Sequence, residues 1–275
     1  MEISLFIDTS LASFLPSGSM MTIYLSNRFI GIPLGVFATA FSTILLPHFS
    51  RVSLRSPQRF NFYLLETTKF VMWVTIPVTL LLLLWSYTIF FTLFLSSKFP
   101  LEKIIVASQV LRAFTVGLFF FSLNKILLSL YYALDEMRIP TNITLIATGL
   151  NFVINLALLN SLQATGLALA TTISGIAQTI LFIWYLKKKF QFSIDKQRMF
   201  TFLKAYTYQL LVVGTLFFVI HSLMVKAISF LPAPLAYGLL STVLFWVWAV
   251  PLAGCGFFAL YITRRHFKVR LFFAD

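Results

Sequence analysis

Asp8 and Arg28 each interrupt a long apolar stretch, where a charge is expensive. Each lies ten residues from Gly18, one on either side of the break Pro16-Ser17-Gly18-Ser19. If the two stretches are helices of a hairpin, both charges sit at one depth. That depth is about 15 Å below the turn at roughly 1.5 Å per residue, near the middle of a bilayer core about 30 Å thick. Arg28 carries a planar guanidinium that forks onto carboxylate or phosphate and stays charged at any relevant pH. Two readings are open for it: a ligand phosphate in a water-filled cavity, or an ion pair with Asp8 across the hairpin. A second group shares the depth. Asn151 and Asn155 are four apart and so lie on one helix face. They precede a turn near Leu162, and Thr171 follows it by about nine residues. A carboxylate, two amides and a hydroxyl are hard oxygen ligands suited to a small cation. The alternative is hydrogen-bonding glue between helices, a common use of Asn and Thr in membranes.

The elements that must position these groups are apolar helices. Hydrophobic residues form 59% of the 275 and charged residues 11%, against about 25% in soluble domains. Mean hydropathy is +0.92. The fold class is an all-α polytopic membrane protein. Apolar runs mark eight spans: roughly 3–15 (partial), 21–47, 67–95, 104–131, 141–160, 165–186, 203–224 and 236–262. Connections carry breakers at Pro16-Ser17-Gly18, Ser56-Pro57, Phe99-Pro100, Ile139-Pro140 and Pro232 with Pro234. Pro33, just past Arg28, predicts a kink. The first stretch has no basic segment and no cleavage site, so it is not a signal peptide. The chain reads as if it begins partway into a helix, as a truncated or split gene product would.

Lysine and arginine assign orientation. One set of connections holds thirteen: Arg51, Arg55, Arg59, Arg138, Lys187, Lys188, Lys189, Lys196, Arg198, Arg264, Arg265, Lys268 and Arg270. The other set holds Lys98, Lys103 and Lys226. The first set is expected in the cytoplasm, together with the C-terminus. The net charge of +13 is therefore topology and contact with anionic lipid, not nucleic-acid binding.

Other charges carry less. Lys125 lines a cavity or snorkels to the cytoplasmic face. Arg112 is expected to snorkel outward, Glu66 and Lys69 to pair locally, and Asp135-Glu136-Met137-Arg138 to form a solvated loop. His48, His221 and His266 lie at span ends, as interfacial side chains. Cys255 stands alone, without a disulfide framework or metal-binding spacing. The 32 phenylalanines are packing or lipid-facing surface and carry no cofactor signature. There is no G-x-S-x-G, P-loop or H-E-x-x-H, and eight acidic residues leave few acid–base pairs. An enzyme is not expected.

Several segments resemble one family. They are Phe6-Ile-Asp8-Thr-Ser-Leu-Ala-Ser-Phe-Leu15, Tyr24-Leu-Ser-Asn-Arg28, Ile32-Pro33-Leu-Gly-Val-Phe37, Ile44-Leu-Leu-Pro47, Val116-Gly117 with Lys125, Tyr131-Tyr132 and Ile139-Pro140-Thr141. Together they resemble MurJ (MviN), the bacterial lipid II flippases, over the whole chain. Such proteins have fourteen helices in two six-helix lobes plus two C-terminal helices, a MATE/MOP-like architecture. This chain is similar to helices seven to fourteen. The resemblance implies a second lobe over residues 1–190, its first helix truncated, and two further helices over 191–275 that form a groove for a lipid tail. It implies transport of lipid II from the cytoplasmic to the periplasmic leaflet of the inner membrane by alternating access. An N-terminal lobe, encoded separately or lost, would complete the protein. It assigns the substrate pyrophosphate to Arg28, with Lys125. It assigns a sodium site to Asp8, Asn151, Asn155, Thr171 and the carbonyl of Leu167, with Asn155 standing where the pattern has a carboxylate. No other cofactor is implied. The expected partners are lipid II and membrane lipids. The alternatives are an exporter of another polyprenyl-linked saccharide and a non-transporting membrane scaffold or fragment.

Overall fold

Gly18 opens the second helix from a left-handed conformation, φ 100°, that only glycine adopts without strain. It turns the chain between α1 (Glu2–Ala12) and α2 (Ser19–Pro33), which pack together as the expected hairpin. The structure is a computed structural model that describes residues 2–39, 41–42, 57–190 and 195–272. His48, Arg51, Arg55, Ser56 and the Ile44–Pro47 segment lie outside the described residues, so the cytoplasmic end of the span expected over 21–47 does too.

Pro33 does more than kink its helix. It has no N–H and its ring crowds the carbonyl four residues back, so the ladder continues as a π-helical segment, Leu34–Thr39. The hydroxyl of Thr39 donates to the carbonyl of Leu34, five residues back (3.2 Å). Helix α3 (Pro57–Phe94) has 38 residues. At about 57 Å it is longer than the roughly 30 Å core it crosses. Pro100 then starts α4 (Leu101–Val116), its carbonyl accepting from the N–H groups of Lys103 and Ile104.

The span expected over 104–131 is bent. Helices α4 and α5 (Leu118–Ala133) meet at 45° across Gly117. A Cβ at Gly117 would lie 2.6 Å from the Phe121 ring, so the bend and the ring share a space that only glycine leaves open. The two spans expected over 141–160 and 165–186 are the two arms of α6 (Arg138–Phe190), separated at the non-helical Gln163 (φ 48°, ψ −131°). The break is a reversal. Asn151 and Thr171 would stand about 30 Å apart on a straight helix, yet their side chains are hydrogen-bonded at 3.0 Å.

Helix α7 (Lys196–Ser229) begins at Asp195, whose carboxylate accepts from the N–H of Arg198. The last expected span, 236–262, is not continuous. It divides into α8 (Ala233–Ser241) and α9 (Phe245–Thr263). Thr242 is extended, and its hydroxyl oxygen accepts from the N–H of Leu244 at 3.3 Å. That cap competes with a continuous helix.

Among the described residues four helices are long and apolar enough to span a membrane, five with the α4–α5 pair counted as one span. The fold at Gln163 makes α6 two crossings. The chain forms two compact units. One comprises Met1–Ser86 with Ile105–Ile194, where α1 packs on α2 and α6, and α5 on α6. The other comprises Tyr87–Ile104 with Asp195–Asp275, where α7 packs on α8 and α9.

Candidate functional site

Four side chains close a ring inside the first unit. Asn155 Nδ2 donates to Asp8 Oδ1 (2.7 Å) and to Asn151 Oδ1 (3.2 Å). Asn151 Nδ2 donates to Thr171 Oγ1 (3.0 Å), which donates to Asp8 Oδ2 (2.5 Å). The helices dictate this. Asn151 and Asn155 share a face of the first arm of α6. The reversal at Gln163 brings Thr171 back to their level, and α1 lays Asp8 against both arms. Asp8, Asn151 and Asn155 are fully buried and Thr171 nearly so. Leu167, one turn before Thr171, is also fully buried.

An ionised carboxylate at zero exposure requires compensation. Asp8 makes no ion pair among the described residues. Its two neutral donors, Asn155 and Thr171, supply part of that compensation. Asn155 Oδ1 is buried and has no hydrogen-bond partner among the described residues; an acceptor left without a donor costs about 1–3 kcal/mol. A carboxylate, amide oxygens and a hydroxyl, one of them an orphaned acceptor, are the donor set of a small hard cation. The residues fit such an ion.

Thr171 also lines a cavity of about 330 Å³ in the same unit, with Asn124 and Lys125 from α5, Thr144 and Thr148 from the first arm of α6, and Ser174 and Gln178 from the second. A polar chain crosses here. Gln178 Nε2 donates to Thr144 Oγ1 (3.0 Å), Asn124 Nδ2 to the Gly175 carbonyl (2.9 Å), and Thr179 Oγ1 to Asn124 Oδ1 (2.7 Å). The sequence reading missed Asn124, Gln178 and Thr179. Their signal was an amide in each of two apolar spans, Gln178 being one helical stripe with Thr171 and Ser174.

Arg28 is not drawn into the ring. It is exposed, donates to the Tyr24 hydroxyl and lies 4.8 Å from the centre of that ring. It makes no ion pair among the described residues, so the pairing across the hairpin is not formed. Three and seven residues on, Gly31 and Gly35 leave open space. Lys125 is half-buried, lines the cavity and donates to Thr39 Oγ1 (2.9 Å). Thr39 is eleven residues past Arg28, about 16 Å along a helix. The structure therefore does not join Arg28 and Lys125 in one contact.

Other charges take local partners. Arg112 Nε donates to Ser86 Oγ (2.6 Å) rather than only reaching outward. Glu66 and Lys69 pair at 2.7 Å, both buried. Glu136 of the α5–α6 loop pairs with Lys189.

The sequence profile of the Lipid II flippase MurJ family matches residues 1–237. The probable lipid II flippase MurJ of Haemophilus influenzae is 33% identical over 187 residues, 66% of this chain and 36% of that protein. That of Buchnera aphidicola subsp. Schizaphis graminum is 31% identical over 189 residues, 68% and 37% respectively. That of Helicobacter pylori is 34% identical, covering 66% and 40%. The chain thus spans well under half the length of these relatives. A solved structure, lipid II flippase MurJ in an inward closed conformation, shares the fold with a TM-score of 0.72 at 21% identity, over 98% of this chain and 52% of that one. The fold is therefore the all-α, multi-pass membrane fold of that structure, and the chain belongs to the MurJ lipid II flippase family.

Proposed function

We propose that this chain supplies the second lobe, with two further helices, of a flippase that moves lipid II from the cytoplasmic to the periplasmic leaflet of the bacterial inner membrane. Residues 1–190 are the lobe. Residues 191–275 form a lipid-tail surface, in keeping with the exposed Leu216, Phe218, Val219 and Leu223 of α7. A first lobe, on the same or a separate chain, would complete the substrate cavity. The C-terminus lies in the cytoplasm with most of the Lys and Arg. The protein is a transporter and not an enzyme.

The observation that carries this reading is Arg28. It is a guanidinium midway along an apolar helix, exposed, with no acidic partner among the described residues, on a face opened by Gly31 and Gly35. A pyrophosphate is the dianionic partner such a fork accepts in bidentate fashion. Lys125 serves the same anion from nearer the cytoplasm as it moves. Asp8, Asn151, Asn155 and Thr171, with Leu167 beside them, hold a sodium ion whose binding favours one cavity state over the other.

The test is complementation of a flippase-depleted strain by the complete protein. Arg28→Ala is expected to abolish growth and Arg28→Lys to restore only part of it, since an ammonium lacks the fork. Normal growth of Arg28→Ala at normal expression overturns the pyrophosphate role.

A further inference from the structure

The cavity beside Thr171 is built from helical stripes that continue into the Asp8 ring. On the first arm of α6, Thr144 and Thr148 line the cavity, and Asn151 and Asn155 extend the same face into the ring. On the second arm Thr171 belongs to both, followed by Ser174, Gln178 and Phe182 along the cavity. On α1, Ser4 lines the cavity and Asp8, one turn on, accepts in the ring. Helix α1 and the two arms of α6 therefore carry one polar track from the ring to the cavity.

The track has a direction. Along α6 the cavity extends from the ring toward the chain segments rich in Lys and Arg: Thr144 toward Arg138, and Phe182 toward Lys187, Lys188 and Lys189. The volume, about 330 Å³, holds several waters, and hydroxyl and amide groups supply their partners. We propose that this cavity is the cytoplasmic access route by which a small monovalent cation reaches Asp8. The proposal rests on the reading of Asp8 as a cation ligand. Gln178 and Thr144 are bridged across the route, and their amide and hydroxyl oxygens replace part of the ion's hydration as it passes. Lys125 is the one cation among the lining residues, and its ammonium is held by Thr39 Oγ1, which does not line the cavity.

Thiol accessibility tests this. Cys255, the single cysteine, is replaced by serine, and Thr148→Cys or Ser174→Cys is introduced into the full chain in oriented membrane vesicles. Leu145→Cys, on the exposed side of the same arm, is the control. The probe is a cationic, membrane-impermeant methanethiosulfonate. Only a solvated thiolate reacts, and each unit by which apolar surroundings raise a thiol slows it about tenfold. The cavity thiols are expected to react from the cytoplasmic face at least about tenfold faster than the control and than from the periplasmic face. Sodium chloride in place of choline chloride should slow them, because an ion at Asp8 removes its attraction for the cationic reagent, and Asp8→Asn should erase that sodium effect. Reaction of both cavity thiols no faster than the control, or only from the periplasmic face, overturns the route. If sodium still raises the melting temperature through Asp8 in that case, the cation site survives and the route alone falls. If the thiols react and sodium changes neither rate nor melting, the cation reading falls and the proposal with it.

Discussion

Replacing Asn155 by aspartate keeps the shape of the side chain and exchanges one amide for a charged oxygen. Asn155 Nδ2 now lies 2.7 Å from Asp8 Oδ1 and donates to it. The aspartate would set two carboxylate oxygens at that distance. The lost bond to a charged acceptor is worth about 1.5–3 kcal/mol. The new repulsion is roughly 6 kcal/mol at an effective dielectric of about 20. Side-chain rotation and proton uptake relieve part of this, leaving a net loss of about 3–4 kcal/mol, the scale of a broken buried pair. The assay is thermal unfolding of the purified chain in detergent, in sodium chloride against choline chloride at matched ionic strength. In choline the variant should melt on the order of 10 °C below the native chain. Sodium should recover most of that loss, because a cation between two carboxylates is held more tightly than by one. A ligand at a hundred times its Kd contributes about 2.7 kcal/mol. An equal loss in both salts would mean that the ring is only a hydrogen-bonded clamp. No loss in either salt would mean that Asn155 and Asp8 do not touch.

Gln163 holds a conformation, φ 48° and ψ −131°, suited to glycine. Gln163→Gly should therefore raise stability by about 1 kcal/mol in thermal unfolding. A Cβ on Gly175 would lie 2.5 Å from the Phe121 ring. Gly175→Ala should cost about 1–3 kcal/mol through overpacking, with partial recovery in the double variant with Phe121→Leu, read from the same melts. Glu66→Gln exchanges the carboxylate that meets buried Lys69 at 2.7 Å for a neutral amide, and should lower stability by about 1–2 kcal/mol in the same melts, the difference between a charge-assisted and a neutral hydrogen bond.

Much of the site was legible as depth. A helix advances a set distance per residue, so counting from Gly18 and from the turn near Leu162 placed Asp8, Asn151, Asn155 and Thr171 at one level before any contact was known. Their assembly into a ring agrees with that count. Arg28 shares the level by the same count yet lies outside the ring, exposed beside Tyr24. The breaks divided differently. Gly18 and Pro33 act through their own backbone chemistry and were visible as such. Thr242 is a capping choice between two ordinary-looking apolar segments, and the bend at Gly117 depends on where the Phe121 ring comes to rest. Thr242 has no local mark in the sequence, and Gly117 is one glycine among several within the spans. Asn124 and Gln178 were passed over because an amide in an apolar span looks the same whether it glues helices or lines water.

Composition and the spacing of apolar runs determined that this chain crosses a membrane as helices, and residue counting determined which polar groups share a depth. Only the tertiary structure decided which of them meet. Backbone hydrogen bonds fix the rise of a helix residue by residue, whereas its rotation about the axis is set by neighbouring side chains. That rotation turned Asp8 inward to Asn155 and Thr171 and left Arg28 on the open face.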